Sequence, residues 1–590
     1  MSYTAHQFHI PVLGLCYSID TPLKVARFGI SSVLSIVEDQ LIEDMRAYHA
    51  AKNNIPFDPI PEKDPDHRAK RITAYLNLLS ELVKQQSADM KQQDFTPGTD
   101  LTKYFELLPD NELKQQFISM MHMPDGEEKD ILQQHLKNAV TPGDIDVNIM
   151  VKLNNPAYDD NGEKMPEEYS DALSALRGFA KSKLTSSIVL SAGYNPALFA
   201  YAEQFNDFYP DKNNILTKKI IIKVSDYRSA LIQGKLCAKK GLWVSEFRIE
   251  SGLNCGGHAF PTDGLLMGSI LEEFKINRQA LAAELYEMCN AALIAKGKTP
   301  FSIMPVQKVT AQGGIGTAAE QQLLLRYYEL DAVGWGSPFL LVPEVTNVDD
   351  DTLQLMANAE PDDYRMNHAS PLGVMFNNFM KSSAEAQRKK RITDNRAGSP
   401  CYSKYLASDT EFTERPICTA SRQYQQLKRT QLAAATPSQA TEIALERLNE
   451  KDCLCEGLTA SVRLKNEMPL SHKLSAVTIC PGPNLSWFSG VFSLKEMTDH
   501  IYGRLNILNA RYRPHMFINE LKLYVDYFKR LITETAANYN AKQDRYLEKF
   551  RNNLLKGIHY YKQLIRLFTY PEKTSAELNA IEAELLEIVL

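Results

Sequence analysis

A glycine-rich stretch at 250–264, ESGLNCGGHAFPTDG, combines residue types that suit ligand binding and proton transfer. Gly252, Gly256 and Gly257 carry no Cβ, so the backbone there can come close to a flat or anionic ligand. His258, at the edge of this run, can exchange a proton near neutral pH. We therefore predict a ligand beside the glycines, with His258 as the residue that moves a proton.

A second glycine-rich stretch at 311–321, AQGGIGTAAEQ, has the composition of an anion-binding turn. Gly313, Gly314 and Gly316 leave backbone N–H groups accessible where a predicted helix begins, and the positive end of the helix dipole favours an anion. The turn GWGSP at 334–338 can supply further N–H groups. Glycines that only shape tight turns are the alternative, but two such turns together favour a phosphate site.

These motifs need a scaffold, and the first 345 residues alternate eight β-rich runs with helix-like stretches. Apolar strands that alternate with helices indicate βα units around a buried parallel sheet. Eight units predict a closed (β/α)8 barrel of the TIM type; a doubly wound open sheet is the alternative, but its Gly-x-Gly-x-x-Gly turn is missing. The predicted strands are 10–15, 32–37, 144–153, 186–193, 218–226, 242–250, 301–309 and 331–337.

The predicted strand order brings the motifs together. The histidine loop follows the sixth strand, and the two glycine turns follow the seventh and eighth strands. In barrels of this kind the active site lies at the carboxyl ends of the strands, and phosphate is bound by the loops after strands seven and eight. His258 and the anion-binding turns are therefore expected at one mouth of the barrel.

The remaining chain divides into segments of different character. We predict a barrel formed by 1–38 and 144–345, with a helical insertion at 39–143 after the second strand. A loop-rich region at 346–510 contains five of the nine cysteines. Apolar and aromatic residues recur every three or four positions within 511–590, which predicts C-terminal helices. The fold class is α/β, with an additional, mostly α-helical C-terminal region.

Composition limits the function classes. The net charge of −6 over 590 residues gives no basic footprint for nucleic acid. No window approaches the roughly 18 consecutive apolar residues of a membrane span. The start of the chain has no basic residue before its short apolar run, and nine cysteines form no regular framework. We expect a cytoplasmic protein that acts on a small-molecule substrate, without nucleic acid or a membrane span.

The order of the motifs resembles the FMN-dependent barrels of the nitronate monooxygenase (2-nitropropane dioxygenase) family and their enoyl reductase relatives, including those of polyunsaturated fatty acid synthases. The resemblance covers roughly 8–345. It implies an FMN-dependent oxidoreductase in which Gly256 and Gly257 lead to the catalytic His258. It also implies an FMN phosphate held by Gly313, Gly314, Ile315, Gly316, Trp335, Gly336 and Ser337. The family usually has Glu-Ala where this chain has Asn254 and Cys255, so fold and FMN are implied more firmly than the substrate.

Four further residues can be given roles beside a flavin. Cys255 is either a second proton donor or a small residue packed under the flavin, and packing is favoured. Asn254 can hydrogen-bond the isoalloxazine edge or a substrate carbonyl. Lys223 ends the fifth strand and can approach the pyrimidine side of the flavin. Glu246 and Arg248 alternate onto one side of the sixth strand, which predicts a buried pair inside the barrel.

The loop-rich region raises the question of a metal centre. Its cysteines stand near Pro or Gly in loop-like segments, as iron–sulfur ligands do, but without Cys-x-x-Cys spacing. An iron–sulfur cluster, a zinc ion and unligated thiols stay open alternatives. The residues concerned are Cys401, Cys418, Cys453, Cys455 and Cys480.

Three functional hypotheses follow. The leading one is an FMN-dependent oxidoreductase, with a glutamate-synthase-like FMN and iron–sulfur enzyme as a variant if the cysteines hold a cluster. The second is a flavin-free barrel enzyme that acts on a phosphorylated metabolite. The third is a non-catalytic protein whose insertion and C-terminal helices form an assembly surface. A homo-oligomer, or a carrier protein or synthase as partner, stays an open alternative.

Overall fold

A computed structural model describes residues 5–151, 154–159, 161–191, 193, 195–535, 541–567 and 572–588. Eight parallel strands, neighbours in chain order, close into a barrel in which β8 pairs with β1. The predicted (β/α)8 barrel is confirmed, and the open sheet is excluded. The strands are β1 Phe8–Ile10, β2 Ser31–Ser35, β3 Ile145–Ile149, β4 Ser186–Leu190, β5 Lys218–Val224, β6 Val244–Glu250, β7 Lys308–Gln312 and β8 Ala332–Gly334.

The first and seventh strands lie elsewhere along the chain than predicted. β1 ends at Ile10, because Pro11 has no N–H to continue the ladder. Pro305 likewise keeps most of the run 301–309 out of the sheet, so β7 begins only at Lys308. Within the predicted third and fourth strands, 152–153 and 192 lie outside the described residues.

Helices surround the barrel, and further helices follow it in the C-terminal part of the chain. In the first 345 residues they are α1 Thr21–Val25, α2 Asp39–Lys52, α3 His67–Gln92, α4 Asp100–Leu107, α5 Glu112–His122, α6 Glu127–Ala139, α7 Asp171–Lys181, α8 Pro196–Ala202, α9 Tyr227–Lys239, α10 Met267–Ala295 and α11 Ala318–Gln322. Helices α2–α6 fill the insertion at 39–143, as predicted. Helix α3 lies directly on α7, since a Cβ at Gly178 would approach Ala69 O to 2.8 Å.

After residue 345 the chain forms helices and a two-stranded ribbon in addition to loops. Its helices are α12 Asp350–Ala357, α13 Ser383–Thr393, α14 Arg422–Ala434, α15 Gln439–Glu450, α16 Leu454–Lys465, α17 Leu494–Ile501, α18 Met516–Thr535, α19 Ala541–Leu564 and α20 Glu572–Glu587. Strands β9 Tyr364–Asn367 and β10 Phe376–Phe379 form an antiparallel ribbon. The described helices include none that is both long enough and apolar enough to cross a membrane.

The aromatic stripe of the last helices is core, as its spacing indicates. Phe528 of α18 stacks on Phe550 of α19, with ring centroids 5.3 Å apart. Phe517 stacks on Tyr561 at 5.1 Å. One hydrophobic core contains side chains from the barrel, the insertion and the C-terminal region. The proposed division into domains stays a prediction.

The interior of the barrel holds the buried pair expected on β6. Arg248 Nε donates to Glu246 Oε1 at 2.8 Å, and Arg248 Nη2 lies 3.7 Å from Asp146 Oδ2. Burial raises the pKa of Asp146 to about 7 against the opposing effect of Arg248. Burial would also raise the pKa of Glu246, but the charge of Arg248 keeps it below its ordinary value.

Candidate functional site

A cavity of about 410 Å³ opens at the carboxyl ends of the barrel strands, and the loops after β6, β7 and β8 all line it. The structure therefore brings the three predicted motifs together. The predicted site residues that line the cavity are Lys223, Asn254, Cys255, Gly256, Gly257, His258, Gly313, Gly314, Ile315, Gly336, Ser337, Cys455 and Cys480. The cavity lining does not include Gly316, Trp335, Cys401, Cys418 or Cys453.

Strand ends form a polar floor. Lys223 Nζ lies 2.8 Å from Glu250 Oε1, and Gln312 Nε2 donates to the same oxygen at 2.5 Å. Within the described chain, the buried oxygens Gln312 Oε1 and Asn148 Oδ1 have no hydrogen-bond partner. Both side chains line the cavity, but these two oxygens themselves have almost no exposed surface.

Sequence reasoning found Lys223 but missed Asn148, Glu250 and Gln312. The signal was the period of two along each strand, which places Glu250 on the same side as the recognised pair of β6. Likewise, Gln312 is the last residue of β7. Polar residues at strand ends that face the barrel mouth were therefore predictable once the strands had been assigned.

The loop that carries His258 is held by a single antiparallel bridge to β10, between His258 and Phe376. Asn377 N–H donates to Gly257 O at 2.9 Å, and Ala259 N–H donates to Met375 O at 2.8 Å. The His258 ring meets the Phe376 ring edge-on, with centroids 5.2 Å apart. The C-terminal region therefore builds one wall of the cavity and fixes the histidine loop.

The side chain of His258 has a partner that sequence reasoning did not find. Its Nε2 lies 2.6 Å from Ser370 Oγ. Ser370 is fully buried and stands 112 positions later in the chain. No local motif marks Ser370, because its proximity depends on the way the C-terminal region folds back over the barrel.

Asn254 and Cys255 make contacts within the protein. Asn254 Nδ2 donates to Met516 O at 3.1 Å, and Asn254 Oδ1 accepts from Asn519 Nδ2 at 2.9 Å. These bonds tie the histidine loop to α18. The Cys255 thiol donates to Gln312 O at 3.5 Å, and burial raises its pKa above the ordinary value. The Cys255 thiol thus has an acceptor within the protein, and its packing and proton-donor alternatives both stay predictions.

Two members of the predicted phosphate set are used by the protein itself. Gly316 N–H donates to Glu320 Oε2 at 2.9 Å, and Glu320 is paired with Arg513 at 2.6 Å. Trp335 is buried, and its Nε1 donates to Gln321 Oε1 at 2.7 Å. Both residues therefore support the turns, and neither faces the cavity.

The other N–H groups of the turns remain available. Within the described chain, no acceptor is hydrogen-bonded to the backbone N–H groups of Gly314, Ile315, Gly336 or Ser337. Gly336 precedes a short 3₁₀ helix that begins at Ser337, where the first N–H groups have no helical acceptor. The two turns thus present N–H donors, and the two cations beside them are each paired with a carboxylate: Arg513, which donates to Gly314 O at 2.6 Å, with Glu320, and Lys223 with Glu250.

The glycines of these turns are required for different reasons. A Cβ at Gly313 would lie 2.7 Å from Cys255 Sγ, and one at Gly314 would lie 2.0 Å from Asn254 Nδ2. Close packing against the histidine loop explains these two glycines. At Gly336 the nearest atom to a Cβ is Leu13 Cδ2 at 3.6 Å, which is ordinary contact. Packing within the chain therefore does not explain the glycine at 336.

Of the five C-terminal cysteines, two line the cavity and three do not. The thiols of Cys401 and Cys418 are hydrogen-bonded, and this contact is the main cause of a lowered pKa at Cys401. Cys455 and Cys480 line the cavity, and burial raises the pKa of Cys480 to about 12. Burial also raises the pKa of Cys453, to about 11.

All five cysteines are free thiols. Among the described residues, no three His, Cys, Asp or Glu side chains are grouped so that they could hold a metal ion. The iron–sulfur cluster and the zinc ion stay predictions.

Comparison with known proteins assigns the chain to no family. No protein-family model matches the chain. A search of curated proteins likewise finds no match.

Proposed function

We propose that this protein is an FMN-dependent oxidoreductase. The observation that carries the proposal is a single cavity that joins the free N–H groups after β7 and β8, the His258 loop after β6 and a polar floor. The N–H groups suit an anionic group, the polar floor suits a planar heterocycle, and His258 can transfer a proton. The cytoplasmic location stays part of the same proposal.

The residues present fit FMN. The volume of about 410 Å³ falls within the roughly 300–1,000 Å³ range of ligand and cofactor pockets. Asn148 and Gln312 line the cavity, and their side-chain amides would hydrogen-bond the isoalloxazine ring. The Gly336 turn can approach a phosphate closely, since no side chain stands between its backbone and the cavity.

Each part of the cavity has its own task in this proposal. The N–H groups of Gly314, Ile315, Gly336 and Ser337 would bind the phosphate, as donors at helix N-termini do. Bound FMN would supply hydride or electron transfer. His258 would hold or move the proton that accompanies the reaction, and the wall behind it would exclude water.

The wall contributed by the C-terminal region points to an apolar substrate. Its cavity-lining side chains are Leu372, Val374, Phe376, Tyr405, Leu406, Leu454, Leu458 and Ile479. Lys223 is the only Lys or Arg among the described residues that line the cavity, and Glu250 neutralises it. Nitronates and enoyl thioesters, which the resemblance suggests, are the substrates to assay first.

The first test is a spectrum of the full-length protein purified without air, followed by acid release of any flavin and by titration with FMN. We expect flavin absorption, or binding of added FMN in a one-to-one complex. A colourless protein that refuses FMN would overturn the proposal. Protection against thermal unfolding by sugar phosphates, without any effect of FMN, would support the phosphorylated-metabolite alternative instead.

A single substitution sharpens this test. Gly336→Ala adds a methyl group where the free protein has room, so the fold is expected to persist. Displacing the phosphate from the N–H groups should weaken FMN binding about ten- to a hundredfold. His258→Gln is the matched control and should bind FMN with unchanged affinity. Equal FMN affinities of Gly336→Ala and the unsubstituted protein would place the phosphate elsewhere.

A further inference from the structure

Ser370 brings a buried hydroxyl group from the C-terminal region to the ring of His258. The segment between β9 and β10 carries Ser370, and its Oγ lies 2.6 Å from His258 Nε2. Ser370 has no exposed surface. The hydroxyl side of the contact is therefore shielded from water, whereas His258 lines the cavity, and a buried hydroxyl must find an acceptor.

Two contacts fix the position of Ser370. Lys451 Nζ donates to Ser370 O at 2.7 Å, which anchors the backbone. Leu372 N–H donates to Ser370 Oγ at 3.2 Å, which orients the side chain. The ribbon that follows is bonded to the His258 loop through Asn377 and Gly257. Hydroxyl and imidazole are thus held by one rigid unit.

The direction of the bond follows from the donors and acceptors present. Ser370 Oγ already accepts the Leu372 N–H, so its lone pairs are partly used. Within the described chain, His258 Nε2 is the only acceptor in reach of the Ser370 hydroxyl hydrogen. A buried hydroxyl without an acceptor is costly, so the hydroxyl donates to Nε2. Nε2 then carries no hydrogen, and the neutral ring has its hydrogen on Nδ1.

We infer that Ser370 is a positioning residue that holds neutral His258 in the tautomer with its hydrogen on Nδ1. The role of His258 in proton transfer rests on the proposed function, whereas the tautomer does not depend on FMN. In this state the ring carries its hydrogen on Nδ1, and Nε2 can take up a proton only if the Ser370 hydroxyl turns away. The C-terminal region would thereby set the protonation chemistry of the barrel mouth.

Nuclear magnetic resonance of the full-length protein, with ¹⁵N in its histidine side chains, tests this inference. Long-range ¹H–¹⁵N correlations distinguish the two neutral tautomers, and the spectrum of His258→Gln identifies the His258 signals. We expect the Nδ1–H pattern in the unsubstituted protein, its loss in Ser370→Ala, and its recovery in Ser370→Thr, which keeps the hydroxyl.

Two controls separate positioning from a general loss of structure. Ser461→Ala removes another fully buried hydroxyl, which bonds Asn347 O at 3.0 Å, and should leave the His258 pattern unchanged. The remaining histidine signals should keep their positions in every variant. An Nε2–H pattern in the unsubstituted protein, or an unchanged pattern in Ser370→Ala, would overturn the inference. Because the spectra are recorded with and without FMN, a failure to bind FMN is seen separately.

Discussion

Two layers of polar side chains cross the inside of the same barrel, and they differ in what surrounds them. In the deeper layer, Asp146, Glu246 and Arg248 are enclosed and bonded to one another. In the upper layer, Lys223 and Glu250 form an ion pair that lines the cavity. The layers follow one another along β6, since Arg248 and Glu250 stand two positions apart on the same side of that strand. Similar charges therefore serve as core in one place and as a ligand surface in the other.

The two layers differ in whether a cavity lies beside their polar groups. Glu246 Oε1 accepts from Arg248 Nε and also from Thr310 Oγ1, at 2.5 Å. In the upper layer, Gln312 and Asn148 each keep one acceptor oxygen without a partner in the described chain. Asp146 Oδ1 in the deeper layer also lacks a partner among the described residues, but only the upper layer lines the cavity, so only its polar groups can meet a ligand.

Removing one cation from each layer should give the largest difference in the free energy of unfolding between two variants. Arg248→Met leaves two carboxylates without their partner in an enclosed site and should lower the free energy of unfolding by about 3–5 kcal/mol. Lys223→Met removes a cation beside the open cavity, where Glu250 keeps Gln312 as a partner, and should cost about 1–2 kcal/mol. Denaturant unfolding of both variants measures the difference. Equal losses would contradict the distinction between the layers.

A smaller effect depends on pH and belongs to the deeper layer alone. Burial raises the pKa of Asp146 in the folded protein to about 7. The unfolded chain releases this proton near an ordinary pKa of about 3.9, so the carboxyl group costs stability as the pH rises between these values. Asp146→Asn removes that cost. Between pH 4.5 and 7 the variant should therefore gain up to about 3 kcal/mol relative to the unsubstituted protein.

Unfolding free energies of both proteins across this pH range check the prediction. Burial lowers the pKa of His9 to about 3, so His9 stabilises the fold above its unfolded pKa and loses this effect as the pH falls. That contribution is present in both proteins and is absent from their difference. Asp350→Asn, which changes an exposed carboxyl group of α12, is the control. Its free energy of unfolding should differ from that of the unsubstituted protein by the same amount at every pH. A pH-independent difference in unfolding free energy for Asp146→Asn would show that Arg248 keeps the Asp146 carboxyl group ionised.

The barrel could be predicted because its signal is local. Each strand is a short apolar run, and its partner is the next strand in the chain, so counting the runs was enough. The predicted limits of β1 and β7 were wrong because Pro11 and Pro305 have no N–H group to donate to the sheet. The position of the three motifs at one mouth followed from the strand order without any side-chain detail.

The partners of the site could not be predicted in the same way. Ser370 reaches His258, and Cys480 O accepts from Gly257 N–H at 3.0 Å, only because the C-terminal region returns to the barrel mouth. Such contacts depend on tertiary packing across more than a hundred residues, which periodicity does not encode. The same packing places Gly316 and Trp335 in supporting roles, although the resemblance had assigned both to the phosphate.

The smallest expected effect lies in the upper layer and concerns binding. Glu250→Gln keeps the shape and an acceptor oxygen for Lys223 and Gln312, so the free energy of unfolding should change by less than about 1 kcal/mol. The loss of one negative charge leaves the Lys223 ammonium unneutralised in the cavity. FMN, which carries an anionic phosphate, should then bind about three- to tenfold more tightly at low salt.

Calorimetric titration with FMN at two salt concentrations measures this change, with Asp350→Asn again as the control for altered net charge. The gain should shrink at high salt if charge causes it. Weaker FMN binding by Glu250→Gln would mean that its carboxylate holds the ligand directly. A loss of stability as large as that of Arg248→Met would mean that the two layers form one network, because Glu250 would then be needed by the core beneath it as well as by the cavity.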